Sequence, residues 1–233
     1  MRSMEYLIHW KNDEEGSIVF IEAGTEWLCF DVFVLGEEAE LVIKRGQIVD
    51  KIKQLEDISE SVLHKLTKCV DKVFSLLWKR GMEEIFLMEK TGEIIVQALK
   101  EAKVIEYVYS EYMMKRQFFA EDSLEEDIVA LEVREDEGSL VYENKEKSFF
   151  CRLLPYQEEN SFYLYEVEVA ENLRNQGIAT KCLQQLGSDL VKKSEGREVT
   201  ISLQVGSYNE PALYLYQKLG FELSEEICYN TMQ

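Results

Sequence analysis

The sequence predicts an α/β protein with a mixed (α+β) sheet, built from two similar units in tandem. Three observations carry this. Alternating apolar and polar runs of strand length recur along the 233 residues. A helix, strand, helix, strand order appears once in each half. One strand–turn–helix junction, near residue 177, holds a single glycine in its turn.

The first half opens on two strands, Ser17 to Glu22 and Trp27 to Leu35. In the second, Cys29, Asp31 and Phe33 alternate against Phe30, Val32 and Val34. Val62, Leu66, Val70, Val73 and Leu77 then recur at helical spacing, and Gly81 stops that helix after Lys79-Arg80. A short strand, Glu84 to Met88, a helix, Glu93 to Ala102, and a strand, Val104 to Met113, complete the half. In the second half Ile128 to Val133, Ser139 to Glu143, Ser148 to Leu154 and Phe162 to Val169 read as strands. Ile178, Cys182, Leu186 and Leu190 mark a helix over Gly177 to Lys193, with Gly196 near its end. Val199 to Val205 is a strand, Asn209 to Leu219 a helix, and Phe221 to Tyr229 a last strand.

Aligning Lys79 to Leu87 with Ser194 to Ser202 superposes the two halves. The polar stretch Arg116 to Asp127 is the best boundary, giving domains at 1–118 and 119–233. There is no Pro/Gly/Ser linker.

Composition excludes several classes. At 46% hydrophobic residues the chain can bury a core, yet no apolar run is long enough to span a bilayer. The start, Met1-Arg2-Ser3-Met4-Glu5, does not read as a signal peptide. Five widely separated cysteines, none in Cys-x-x-Cys spacing, point to free thiols in a reducing cytoplasm. The two histidines, His9 and His64, have no second ligand at metal spacing, so no metal site is expected. A net charge of −19 argues against nucleic acid. The segment Glu121 to Glu159 is the most acidic. Its plain reading is solubility, and its sharper one an acidic rim that draws in a cationic amine.

The junction that matters is Arg174-Asn175-Gln176-Gly177-Ile178-Ala179. The first N–H groups of a helix lack internal partners and its dipole favours negative charge, so a strand, a glycine turn and a helix start make a phosphate cradle. Some 35 residues further on comes Asn209-Glu210-Pro211-Ala212-Leu213-Tyr214-Leu215-Tyr216-Gln217-Lys218-Leu219-Gly220-Phe221. Together the two clusters resemble the GCN5-related N-acetyltransferase (GNAT) family. Its first motif reads Gln/Arg-x-x-Gly-x-Gly/Ala and its second Asn-x-x-Ala-x-x-x-Tyr-x-x-x-Gly-Phe. Arg174, Gly177 and Ala179 match the first, and Asn209, Ala212, Tyr216, Gly220 and Phe221 the second. The resemblance covers roughly the last half of the chain.

The resemblance implies a tandem GNAT-like acyl-CoA N-acyltransferase fold with the C-terminal copy intact. It implies acetyl-CoA as co-substrate and a primary amine, on a small molecule or a peptide, as acceptor. The amine attacks directly in a ternary complex, without metal or covalent acyl-enzyme. Val167, Glu168 and Val169 would contact the pantetheine arm where the strand splays from its neighbour after Val169. The Val169 N–H would polarise the thioester carbonyl. Arg174, Asn175, Gln176, Gly177, Ile178, Ala179 and Thr180 would hold the pyrophosphate, Asn209 would touch the CoA arm, and Tyr216 would protonate the departing thiolate. Glu166 or Glu168 would take the amine's proton, directly or through water.

Each residue also has a structural reading. Val167 and Val169 alternate as core positions, with Tyr163 and Tyr165 on their face and Phe162, Leu164, Glu166 and Glu168 on the other. Arg174 reads equally as a phosphate fork or a loop cation, Asn209 as an N-cap, Tyr216 as a core tyrosine, and both glutamates as solvent-facing. Cys182 belongs to the apolar stripe and Lys181 and Tyr214 to the surface. A rival function is a non-catalytic acyl-CoA sensor or interaction module.

The first unit reads as a degenerate GNAT-like copy or as an unrelated, accessory α/β domain. In the alignment Gly177 falls near Val62, and Leu55 to Ser61 occupies the cradle with three carboxylates and no glycine. Tyr216 falls between Leu99 and Glu101, where there is no tyrosine. That unit would pack against the second, shape the acceptor groove or mediate a homodimer.

Overall fold

A computed structural model describes residues 4–47, 49–90, 93–126, 128–156 and 158–233. Met1 to Ser3, on which part of the N-terminal reading rests, and Asp127, the end of the boundary stretch, lie outside the described residues.

The chain divides into two compact units, one of Met1–Ser110 with Ile227–Gln233, the other Glu111–Glu226. The first holds β1 (Glu5–Trp10), β2 (Glu15–Glu22), β3 (Thr25–Leu35), β4 (Glu38–Arg45), α1 (Glu60–Trp78), β5 (Glu84–Lys90), α2 (Ile94–Glu101) and the start of β6 (Ile105–Phe118). The second holds β7 (Leu131–Asp136), β8 (Ser139–Asn144), β9 (Phe149–Pro155), β10 (Ser161–Val169), α3 (Ile178–Lys193), β11 (Val199–Gly206), α4 (Glu210–Lys218) and the start of β12 (Glu222–Met232). The order of four strands, helix, strand, helix, strand thus occurs twice.

Two strands of the first half escape the sequence reading. β1 exposes most of its residues, and β4 carries Glu38, Glu40, Lys44 and Arg45 around a short apolar stretch. The strand read at Ile128 to Val133 begins only at Leu131. β6 runs on to Phe118 because its residues from Glu111 onward pair with β11, Glu111 opposite Gly206 and Phe118 opposite Val199. The units therefore part at Ser110/Glu111, inside a strand, and not at the polar stretch after residue 118.

Each unit buries one core between helices and sheet. In the first, Leu66, Val70, Val73 and Leu77 of α1 pack with Phe20, Phe30, Leu41 and Leu87. In the second, Cys182, Leu186 and Leu190 of α3 pack with Leu153, Leu164, Ile201 and Leu203. The helical spacing predicts both stripes, and Cys182 is core as its position implies.

Each unit has one parallel strand pair, and each pair is short. β4 meets β5 from Glu38/Glu84 to Leu41/Leu87, and β10 meets β11 from Ser161/Thr200 to Leu164/Leu203. Beyond these residues the strands part. In the second unit the parting comes at Leu164, earlier than the Val169 expected from the sequence.

Candidate active site

β10 keeps its other neighbour after leaving β11. Tyr165 lies opposite Arg152 of β9, but Glu168 lies opposite Phe150, so β10 holds one extra residue there. This is a β-bulge, and Glu166 within it takes left-handed backbone, at φ 50°. A bulge reverses the alternation that follows it. Val167 and Val169 therefore join Phe162 and Leu164 on the core face, and Glu168 moves to the face of Tyr163 and Tyr165. The simple alternation read from the sequence is corrected on this point.

The two candidate bases separate accordingly. Glu166 accepts a hydrogen bond from Arg152 Nε at 2.8 Å, and Arg152 also bridges to Asp136 at 3.0 Å. This partly exposed cluster lies outside the cleft described below, so the structure does not bring Glu166 to that cleft. Glu168 does line that cleft.

After β10 a tight turn at Glu171–Leu173 leads to Arg174, and then Asn175 and Gly177 both take left-handed backbone, at φ 61° and 76°. Gly177 is the N-cap of α3 and supplies no side-chain cap. A Cβ on Gly177 would meet nothing within 4 Å. The glycine is thus required by backbone conformation, and the space above it is open. Lys181 N–H reaches back to the Gly177 carbonyl, so the N–H groups of Ile178, Ala179 and Thr180 have no partner within the helix. Arg174 commits its Nε to the Val169 carbonyl at 3.1 Å, which favours its role as a loop brace. Gln176 turns its amide to the Asn172 carbonyl at 3.4 Å and does not line the cleft.

On the far side stands α4. Asn209 Oδ1 accepts the Ala212 N–H at 3.3 Å, so it caps the helix, and Asn209 also lines the cleft. The C-terminus closes in a Schellman motif: Phe221 N–H to Tyr216 carbonyl at 3.0 Å, Gly220 N–H to Gln217 carbonyl at 2.9 Å, Gly220 at φ 80°. Phe221 meets the Tyr216 ring edge-on at 5.6 Å. Arg116 of β6 donates to the Leu219 carbonyl and to Asp122, and its guanidinium lies 4.1 Å from the Phe118 ring centre. These contacts hold Tyr216, which is only 7% exposed. Burial pushes the Tyr216 phenol up to about 12, with smaller contributions from Cys151 and Tyr163.

Between these parts lies a cleft of about 780 Å³, a size suited to a small-molecule co-substrate. Val167, Glu168, Val169, Arg174, Asn175, Gly177, Ile178, Ala179, Thr180, Asn209 and Tyr216 all line it. Leu173, Pro211, Ala212, Tyr214, Leu215 and Lys218 also line it and were not assigned to the site from sequence. The helical pair Tyr214/Lys218 was the available signal. Tyr214 is surface-exposed, as expected, but stands at the rim of the cleft.

The sequence profile of the acetyltransferase (GNAT) family matches residues 73–221. No curated protein sequence matches the chain. Among solved structures, a GCN5-related N-acetyltransferase from Sphaerobacter thermophilus is similar at a TM-score of 0.58 and 12% identity, over 93% of this chain and 80% of that one. A tandem GNAT protein from the clavulanic acid biosynthesis pathway gives a TM-score of 0.56 at 9% identity, over 96% and 85%. A GNAT-family acetyltransferase from Colwellia psychrerythraea gives 0.51 at 14%, over 94% and 86%. At these identities the likeness is one of fold, and it extends over both units.

Proposed function

The chain belongs to the acetyltransferase (GNAT) family, and on that premise we propose that it transfers an acetyl group from acetyl-CoA to a primary amine by direct attack in a ternary complex. The observation that carries this is the shared cleft. The open N-terminus of α3 and the buried Tyr216 hydroxyl-bearing ring face one gap beside β10.

The residues divide the work. The N–H groups of Ile178 to Thr180 and the left-handed turn before them receive the pyrophosphate. Val167 and Val169 flank the pantetheine arm, with Asn209 opposite. The Val169 N–H donates to the thioester oxygen as negative charge develops there. Glu168 takes one proton from the acceptor ammonium, directly or through water, which frees the nitrogen lone pair. The C–N bond forms as the C–S bond breaks. Tyr216 gives its proton to the leaving sulfur and regains one from the nitrogen as the amide forms. A phenol pushed up by burial keeps its proton until the sulfur carries negative charge.

The first unit in this reading is a degenerate copy that holds no acyl-CoA. Five free cysteines fit action in a reducing cytosol. The test is calorimetry with acetyl-CoA beside a thiol-release assay over an amine panel. Binding with thiol release on at least one amine is expected. Binding without release on any amine would make the protein an acyl-CoA sensor.

A further inference from the structure

The acceptor needs its own approach to the gap, and the second unit offers one. The face of its sheet away from α3 and α4 carries Tyr163 and Tyr165 of β10, and Tyr156 just after β9. Tyr163 and Tyr165 stack with centroids 6.2 Å apart and 20° between planes, and Tyr156 tilts onto Tyr163 at 6.3 Å. Ser139 fixes the far end of the row, its hydroxyl 2.8 Å from the Tyr165 hydroxyl. Leu154, paired with Tyr163, lies on this face and is 41% exposed, and Tyr156 is 45% exposed. The result is an open aromatic surface three rings long.

This surface leads into the gap. β10 leaves β11 at Leu164/Leu203, one residue beyond Tyr163. The bulge then turns Glu168 onto the tyrosine face while leaving it on the cleft wall. Tyr163 senses charge from both directions. Burial raises its phenol, Tyr156 and Glu111 add to the rise, and Tyr163 in turn contributes to the shift at Tyr216. Glu111 of β6 is held at the edge of the row by the Gln204 amide. The cations on this face among the described residues include Arg152, shared between Asp136 and Glu166, Arg134, also paired with Asp136, and Lys115, opposite Ser202.

We propose that the acceptor is a cationic primary amine with an aromatic body, its ring laid on Tyr156, Tyr163 and Tyr165 and its ammonium drawn between Glu111 and Glu168. The inference rests on the acyl-transfer reading and names the substrate class of that site. Aromatic faces attract both rings and cations, and carboxylates at one end of the row orient the charge toward the thioester. Glu168 then both receives the ammonium and takes its proton. Tyr163 and Glu111 set specificity.

The test uses the full chain saturated with CoA and titrated with 2-phenylethylamine in a calorimeter. Binding is expected, and Tyr163→Leu and Glu111→Gln should each weaken it about tenfold, with acetyl-CoA affinity unchanged. In turnover, kcat/KM for 2-phenylethylamine should fall by a like factor in Tyr163→Leu, while butylamine, which has no ring, should lose less. The proposal is overturned if the wild type does not bind 2-phenylethylamine, if both variants bind it as well as wild type, or if the two amines suffer equally in Tyr163→Leu. Thiol release is read separately. Its absence with every amine sinks acyl transfer, while the titration still decides the aromatic platform.

Discussion

The two units solve the same geometric problem in opposite ways. Each has a parallel strand pair that parts after a few residues, β4 from β5 and β10 from β11. In each a helix follows the first strand of that pair, α1 after β4 and α3 after β10, and in the second unit the start of α3 lines the cleft. In the second unit the connection, residues 170–177, is short and ends in a glycine N-cap with no side chain to satisfy the helix. In the first, residues 49–59 turn twice before α1, and the chain satisfies itself. Asp57 accepts the N–H groups of Lys53 and Gln54 at 2.8 and 3.2 Å, and Ser59 accepts the Val62 N–H at 3.4 Å. An internal carboxylate and a hydroxyl take up donors of the kind the second unit leaves open. Gly46 packs so tightly that a Cβ there would lie 2.1 Å from the Trp27 carbonyl oxygen, whereas Gly177 faces open space.

The same contrast holds at the position of Tyr216. Tyr216 and Lys100 stand at the same offset from their helix N-caps, Asn209 and Glu93. Val205 and Glu89 stand at the same offset along β11 and β5 from the last parallel pair. The second unit puts a phenol beside an apolar wall. The first puts Lys100 in an ion pair with Glu89, which is 8% exposed. The lesson is that the same order of elements can leave helix-end donors open in one unit and satisfy comparable donors from inside the chain in the other.

Removing the acid should break the contrast most severely. Tyr216→Phe is expected to lower turnover about 100-fold or more, as loss of a general acid does, with CoA affinity in calorimetry little changed. Turnover near wild type would remove Tyr216 from its role. Its raised value also has a sign in pH. The proton is held at every pH below about 12, so the acid is lost only above that. The pH–rate profile should rise with deprotonation of the amine and show no falling limb near about 10, the ordinary phenol value.

Thr180→Glu attacks the open helix end. A carboxylate in the first turn suits the helix dipole, so α3 should fold, but it repels a pyrophosphate. CoA affinity should drop at least about tenfold, from a like-charge cost of roughly 1.4 kcal/mol or more, with the thermal midpoint maintained. Lys100→Met probes the first unit. It strands Glu89, and because Lys100 is 30% exposed the cost should be about 2 kcal/mol in denaturant unfolding, below the range for fully buried pairs, with CoA affinity unchanged. Ser59→Ala should cost about 1 kcal/mol of stability as a lost N-cap and again leave CoA affinity alone. A loss of CoA binding in either of these variants would erase the distinction between the units.

Much of this was legible in the sequence because local patterning and global fold agree there. The stripe on α3, the Asn209 cap and the Gly220-Phe221 stop each state their role within a few residues. What was hidden depends on pairing between distant strands. The bulge at Tyr165/Glu168 has no local mark, since Glu166 gives no hint that it takes left-handed backbone, and so the faces of Glu166 and Glu168 were misread. The division inside β6 was hidden likewise, because composition changes after Phe118 while pairing changes at Ser110. The acidic character of the stretch before α1 was visible through Glu56, Asp57 and Glu60, but its alignment was not. α1 starts at Glu60, so Ser59 and not Val62 stands opposite Gly177.

The central claim is that one of the two openings binds acyl-CoA. Calorimetric titration of the full chain with acetyl-CoA reads it directly through stoichiometry. One site per chain is expected, weakened by Thr180→Glu and indifferent to Lys100→Met. Two sites per chain, or one site that survives Thr180→Glu and is lost in Lys100→Met, would contradict the account.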